Sequence, residues 1–293
     1  MKVRLLTSSA TTIMQLGIFA KIFARPTVEE VFAAVARHHL RCIQFNFACA
    51  GLPSLPDQID PGLAKRIFKA ATGHHLAIAA VSGTFNMIHP DVKQRREGLR
   101  KLGIIAAACE PLGTGLVTLC TGTRDPENMW RHHPDNDSPE AWRDLTVSMT
   151  KALTIADKHG LTLGVEPETG NVVSSARHAR RLLDEMKSPR LRIVMDAANL
   201  FHPGELPRME EILDEAFDLL GNDIVLAHAK ELGADGHASS LSLGAGVLDW
   251  DRYLALLRTA DFKGSLIMHG FEERDAAASV KFMRSKIPDP KRR

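Results

Sequence analysis

Four side chains able to hold a cation or move a proton stand where four successive apolar runs end. Leu161-Thr162-Leu163-Gly164-Val165 runs into Glu166-Pro167-Glu168, and Ile193-Val194-Met195 runs into Asp196. Ile224-Val225-Leu226-Ala227 runs into His228-Ala229-Lys230, and Leu266-Ile267-Met268 into His269. Carboxylate oxygen and imidazole nitrogen together suit one divalent metal ion such as Mn²⁺, Mg²⁺, Co²⁺ or Zn²⁺. Each residue alone has a plainer reading, since an Asp ending a strand commonly caps the next helix and a His near a core is commonly just hydrogen-bonded. The recurrence over consecutive segments favours a shared metal centre of Glu166, Asp196, His228 and His269. Lys230 lies two residues after His228 and so shares its side of a strand. Beside a cation its ammonium is biased toward the neutral form and suits proton transfer, or it binds an anionic substrate group. A salt bridge to Glu231 is the plainer alternative.

Two further segments offer groups to a polar ligand. Gly83-Thr84-Phe85-Asn86-Met87-Ile88-His89-Pro90 is a small-residue turn in which Asn86 and His89 are candidate substrate contacts, or simply a turn and cap for a helix beginning near Asp91. The stretch from Cys120 to Ser138 is a long loop, of the kind that is often functional. In it Arg124 is a plausible fork for a carboxylate or phosphate, Trp130 a platform for a ring or carbon chain, and an Arg124–Asp125 pair the structural alternative.

These residues need a scaffold that aims strand ends at one point. Short apolar runs at Val3–Thr7, Cys42–Phe47, Leu76–Val81, Leu116–Cys120, Leu161–Val165, Leu191–Met195, Ile224–Ala227 and Ser265–Met268 alternate with amphipathic stretches. Near-continuous apolar character marks strands buried on both faces. Between them lie helix signals: a capping box from Thr27 to Glu30, Ser138-Pro139 opening a helix stopped by Gly160, Met209–Leu220 closed by Gly221, and Trp250–Leu257 capped by Asp249. Eight such alternations predict an α/β fold, a single-domain (β/α)8 TIM barrel over residues 1–287 followed by a basic tail at 288–293. Charged residues at the C-terminal ends of its strands face the active-site mouth. No Gly-rich fingerprint follows the first strand, and Gly244-Ala245-Gly246 lies late, which disfavours a dinucleotide-binding fold.

Composition narrows the partners. A formal net charge of +2 with a basic cluster confined to Lys291-Arg292-Arg293 gives no support for nucleic acid. Cys42, Cys49, Cys109 and Cys120 form no C-x-x-C pair, which argues against a disulfide framework or a cysteine-rich zinc site and fits a reducing, cytoplasmic compartment. Polar residues from Thr7 to Gln15 interrupt the first apolar stretch too often for a signal peptide, and no run reaches the roughly 20 residues needed to span a bilayer. The expected partner is a small carbohydrate-like molecule, and a homo-oligomer is open to the chain.

The segments GVEPETGN, IVMDAANLF, VLAHAKE and LGAGVLDWDRYLALL, in this order and spacing, resemble the xylose isomerase-like superfamily of TIM barrels, in the branch of sugar phosphate isomerases/epimerases. The resemblance covers nearly the whole chain. It implies one divalent metal bound from strands five to eight, with Glu166, Asp196 and His228 as ligands. It also implies an isomerase or epimerase of a sugar, keto-sugar or polyol, working through a metal-chelated ene-diolate with Glu166 as one base. Glu168 is a nearby reserve. At the fourth position the family usually has Glu, where this chain has His269, which must supply the second base if protons move on both faces of the substrate; Glu272 and Glu273 follow as fallback ligands. Asn199 stands where many relatives place His; it can hydrogen-bond a substrate hydroxyl but cannot shuttle a proton at neutral pH. The His269 departure brings in a metal-dependent lyase or dehydratase as the alternative, and a non-catalytic sugar-binding barrel as a third reading. Related barrel endonucleases gather three zinc ions from a larger ligand set that this chain lacks.

Overall fold

The computed structural model describes residues 14–287. Eight parallel strands close into a ring: β1 (Gln15–Phe19), β2 (Cys42–Phe45), β3 (Ala77–Ser82), β4 (Leu116–Leu119), β5 (Thr162–Val165), β6 (Leu191–Asp196), β7 (Ile224–Ala229) and β8 (Ser265–Met268). Each pairs with its sequence neighbour, and β8 closes the ring on β1 with Gln15 level with Ser265. Eight helices surround it: α1 (Val28–Ala36), α2 (Pro61–Gly73), α3 (Val92–Leu112), α4 (Pro139–His159), α5 (Ala176–Met186), α6 (Met209–Leu220), α7 (Trp250–Thr259) and α8 (Ala276–Lys286). The molecule is a single-domain (β/α)8 barrel, as its alternation of elements predicts. Among the described residues no helix is long and apolar enough to cross a membrane.

One expectation needs correction. The first barrel strand is Gln15–Phe19, not Val3–Thr7, a segment that lies outside the described residues along with the tail at 288–293. Both segments are short and apolar, and it is the pairing of Gln15–Ile18 with Ser265–Met268, closing the ring, that identifies the strand. The helix signals operate largely as read. Thr27 accepts from the Glu30 N–H (3.3 Å), Asp91 from Lys93 (2.8 Å), Ser138 from Ala141 (3.1 Å) and Asp249 from Arg252 (2.9 Å). Gly160 ends α4 at φ +67°, a conformation costly for any residue with a Cβ. Gly221 instead stays right-handed at φ −51° and passes α6 into a 3-10 turn.

The strand period of two explains how the barrel presents its polar groups. Cys42, Ala80, Val194, Leu226 and Ile267 form a small apolar plug inside the ring, with Leu116 packed against it. Space there is short: a Cβ on Gly164 would sit 2.8 Å from Val194 and 3.4 Å from Leu116. Two residues farther along each strand the side chain points inward again, one layer higher. From Cys42, Leu116, Gly164, Val194, Leu226 and Ile267 this step reaches Gln44, Thr118, Glu166, Asp196, His228 and His269. A polar storey thus rests on an apolar floor, and the helices pack a separate apolar layer around the outside of the ring.

Candidate metal centre

Glu166, Asp196, His228 and His269 converge: each offers a ligand atom, and these atoms all lie within 4.8 Å of one another. Glu166 sits one residue past β5, where its N–H still donates to the Leu119 carbonyl (2.9 Å). Asp196 ends β6 level with His228 of β7, and the His269 N–H donates to Ala229 O (3.0 Å), extending the β7–β8 ladder by one step. The sole tyrosine, Tyr253 of α7, is fully buried, and its hydroxyl lies 2.9 Å from both the Met195 and His228 carbonyls, tying the ends of β6 and β7 together.

Acceptors outnumber donors at this point. His228 Nδ1 is 3.2 Å from Glu166 Oε2 and 4.0 Å from Asp196 Oδ2, and His269 Nε2 is 3.0 Å from Asp196 Oδ2. The Asn199 amide donates to Glu166 Oε1 (2.6 Å), Glu168 Oε1 (3.1 Å) and Asp196 Oδ2 (3.2 Å), while Lys230 Nζ donates to Asn199 Oδ1 (3.3 Å). The cluster therefore contains three buried or partly buried carboxyls, two imidazoles, one amide and one ammonium.

The charge states follow from that crowding. Burial, then the neighbouring Glu166 charge, push Glu168 up to about 8 against the pull of Lys230, so its carboxyl holds a proton at neutral pH. Burial also opposes charge on Asp196, but the hydrogen bond and charge of His269, with Lys230 and His228, override it and hold this carboxyl well below its usual range. Burial opposes a charged His228, yet Glu166 and Asp196 outweigh it and raise its pKa. Burial and the adjacent His228 lower that of His269, whose ring centroid is 4.3 Å from that of His228.

His228 Nδ1 provides the test of fit for a cation. Despite its closeness to Glu166, this buried nitrogen makes no hydrogen bond of acceptable geometry. A buried ring nitrogen without a partner costs roughly 1–3 kcal/mol. Facing two carboxylates and a second imidazole, it belongs to a donor set of two oxygen and two nitrogen ligands that suits a first-row divalent ion, and the four residues fit one.

The other predicted residues divide. Glu168, Asn199 and Lys230 join the cluster through the contacts above. Asn86, His89 and Arg124 form no hydrogen bond or ion pair to it among the described residues. The Asn86 amide donates to Thr123 O (2.7 Å) and accepts from the N–H groups of Ile88 and Thr123. The His89 ring lies between Pro126 O (3.1 Å) and the Asp91 N–H (3.0 Å). Arg124 reaches Ile88 O (2.9 Å) and Asp144 (2.8 Å), and Asp125 pairs with Arg131 instead of Arg124. Trp130 is 53% exposed on the same loop.

Sequence reasoning missed Gln44, Thr118 and Cys120. Gln44 Oε1 lies 2.8 Å from His228 Nε2, and Gln44 Nε2 donates to Thr118 Oγ1 (3.1 Å). Cys120 presents its thiol to Glu166 and Glu168, and burial with those carboxyls pushes it well above the ordinary range, so it stays protonated. The available signal was a single polar residue inside each of the apolar runs of β2 and β4.

Residues 32–286 match the family model of the xylose isomerase-like TIM barrel. No curated protein matches the sequence. Among solved structures the chain is similar to 3-keto-D-glucoside 4-epimerase from E. coli, with TM-score 0.72 and 16% identity over 93% of this chain and 99% of that one. It is similar to a D-tagatose 3-epimerase-like protein with TM-score 0.74 and 15% identity, over 93% and 97% of the two chains. A D-psicose 3-epimerase from Clostridium cellulolyticum H10, solved with D-tagatose, gives TM-score 0.72 and 14% identity over 94% and 100%. At these identities the structures share a fold, and with the match of the family model over most of its length the chain belongs to the xylose isomerase-like TIM barrel family.

Proposed function

We propose that the protein is a divalent-metal-dependent isomerase or epimerase of a sugar, keto-sugar or polyol. The observation that carries this reading is the convergence of Glu166, Asp196, His228 and His269 around a buried ring nitrogen that has no hydrogen-bond partner. The epimerases that share the fold support it, as does a site at the C-terminal ends of the strands.

Glu166, Asp196, His228 through Nδ1, and His269 would hold one Mn²⁺, Mg²⁺, Co²⁺ or Zn²⁺. When bound, such an ion polarises a carbonyl and its neighbouring hydroxyl and so acidifies the adjacent C–H. The chain supplies the proton carriers. Glu166 is a carboxylate base beside the point of convergence. Glu168, pushed up to about 8, keeps a proton that it can deliver to a substrate oxygen. Asn199 holds the two glutamates in fixed relation, and Lys230 orients Asn199 from behind. Asn86, His89 and Arg124 serve substrate binding by shaping the loops after β3 and β4.

A lyase or dehydratase is the second reading, favoured by one feature of the site. The proton carriers Glu166, Glu168 and Lys230 gather on the β5 to β7 side, while on the β8 side His269 has its Nε2 committed to Asp196. Elimination of water needs one base and one acid without a symmetric pair. Incubating metal-loaded protein with a panel of sugars and keto-sugars in D₂O separates the readings. Deuterium at carbon with the formula retained supports isomerisation or epimerisation, and loss of water supports the lyase. No exchange and no product, with sugar binding indifferent to chelator, would overturn both in favour of a binding protein.

A further inference from the structure

Gln44 lies on β2, 184 residues from His228, and nothing local to β2 requires an amide inside the barrel. Its side chain is 3% exposed, as is that of Thr118. An amide placed there without partners costs several kcal/mol, so its two contacts determine how it is oriented. With Nε2 given to Thr118 Oγ1 (3.1 Å), Oε1 faces His228 Nε2 at 2.8 Å, and a carbonyl oxygen can only accept. His228 Nε2 must then carry the ring proton, which leaves Nδ1 bare.

The opposite arrangement, with the amide turned over, would put the ring proton on Nδ1. That proton would meet no well-aimed acceptor, because Glu166 Oε2, though 3.2 Å away, lies outside hydrogen-bonding geometry. Each orientation of the relay thus fixes a different ligand atom; neither gives Nδ1 a partner within the chain, but only the Nε2–H form turns a free Nδ1 lone pair toward Glu166, Asp196 and His269.

We propose that Gln44, clamped by Thr118, is the positioning residue of the centre: it holds the Nε2–H tautomer of His228 and so makes Nδ1 the ligand atom. The inference rests on the metal-centre reading and adds to it a residue from the opposite half of the chain. Outer partners of metal-bound histidines typically change metal affinity about 10- to 100-fold when removed.

The test combines calorimetric titration of Mn²⁺ and Zn²⁺ with ¹⁵N NMR of the His228 ring in metal-free protein at alkaline pH, where the ring is neutral. The ring signals are assigned by their loss in His228→Asn. The wild-type ring should carry its proton on Nε2. Gln44→Met, similar in shape but without the acceptor, should mix the tautomers and weaken metal binding about 10- to 100-fold. Gln44→Glu, which keeps an acceptor, should hold the tautomer and bind metal within a few-fold of wild type, a rescue that a purely structural role would not produce. Thr118→Val should fall between the two. A wild-type ring protonated on Nδ1 would overturn the proposal, as would a folded Gln44→Met with unchanged tautomer and affinity. Should Gln44→Met fail to fold, Thr118→Val against Gln44→Glu decides by the same two readouts. If wild type bound neither ion, the proposed function would fall, while the tautomers of wild type and Gln44→Met would still decide the role of Gln44.

Discussion

Carboxyls carried at or beyond the strand ends of this barrel live in opposite surroundings. Glu231, 1% exposed, accepts from the N–H groups of Leu232 (3.0 Å), Gly244 (2.6 Å) and Leu248 (3.3 Å) and from Trp250 Nε1 (3.0 Å). It is met by donors on every side and organises the loop leading into α7. Gly246 lacks a Cβ because one would lie 2.2 Å from Leu232 O and 2.7 Å from Glu231 Oε1. Glu166 and Asp196 are buried too, and Glu168 partly so, but all three face one another and draw on the single Asn199 amide. Asp196 adds the Ala198 N–H (3.0 Å) and His269 (3.0 Å) and Glu168 adds Asn171 (3.3 Å), while Glu166 Oε2 faces the unpartnered Nδ1 of His228. Burial and residue type alone therefore do not separate a structural carboxylate from a functional one. The inventory of donors around it does: a filled shell marks structure, and an unfilled one marks a place kept for something else.

Exchanging charge for shape at each place breaks this comparison most directly. Glu166→Gln keeps the oxygen that accepts from Asn199 and places an amide N–H near the unpartnered Nδ1 of His228. Turnover should fall by about 10³-fold, the equivalent of roughly 4 kcal/mol of lost stabilisation, while the metal-free protein melts no lower than wild type. A metal-free melting temperature well below wild type would show that Glu166 is structural after all. Glu231→Ala should do the reverse. It leaves four donors unsatisfied and should cost about 3 kcal/mol or more, lowering the midpoint of thermal unfolding by several degrees, with metal affinity of the folded protein little changed.

Metal itself should fill the shell that the chain leaves open. At 100 times its Kd a divalent ion should add about 2.7 kcal/mol, read as a rise in melting temperature that chelator reverses and that Glu166→Gln lacks. An equal rise in that variant would place the ion elsewhere.

The smallest effect is in pH. In metal-free protein the folded pKa values of His228 and Glu168 lie above their unfolded values. For Glu168 the stabilising contribution is complete below its unfolded value near 4.5 and is lost as pH rises toward about 8. For His228 it is complete below about 6.5 and lost as pH rises through its raised folded value. Asp196, depressed, acts only in acid, and His269, lowered, has stopped changing above its unfolded value. Melting temperature of the metal-free protein should therefore decline as pH rises from about 6.5 through about 8. Glu168→Gln should decline less, and a flat wild-type profile would contradict the crowding argument.

What the sequence could reveal tracked what is local. Seven barrel strands follow the apolar runs to within two residues at either end, because a strand buried on both faces has a composition of its own. The first did not, since Val3–Thr7 and Gln15–Phe19 carry the same signal and only ring closure identifies the strand that pairs with Ser265. Glu166, Asp196, His228 and His269 were legible because each breaks an apolar run at its C-terminal end. Gln44 was not, because whether a polar residue within a strand points inward depends on register across the sheet. The partners of Arg124 and Asn86 depend on how a long loop folds back on α4 and on the turn after β3, which spacing along the chain does not encode.

Ring closure has a consequence for assembly. Gln15 and Ser265 stand at opposite ends of the described chain, and their pairing is among the most distant contacts in the molecule. During synthesis Glu166, Asp196 and His228 emerge before β8 exists, so the unfinished chain already holds three of its four candidate ligands. The fourth, His269, is aligned only when the last strand docks, while Gln44 waits in the half made first. A complete centre is thus a property of the closed ring alone, and its occupancy would report, in a single readout, that the first and last barrel strands have found each other.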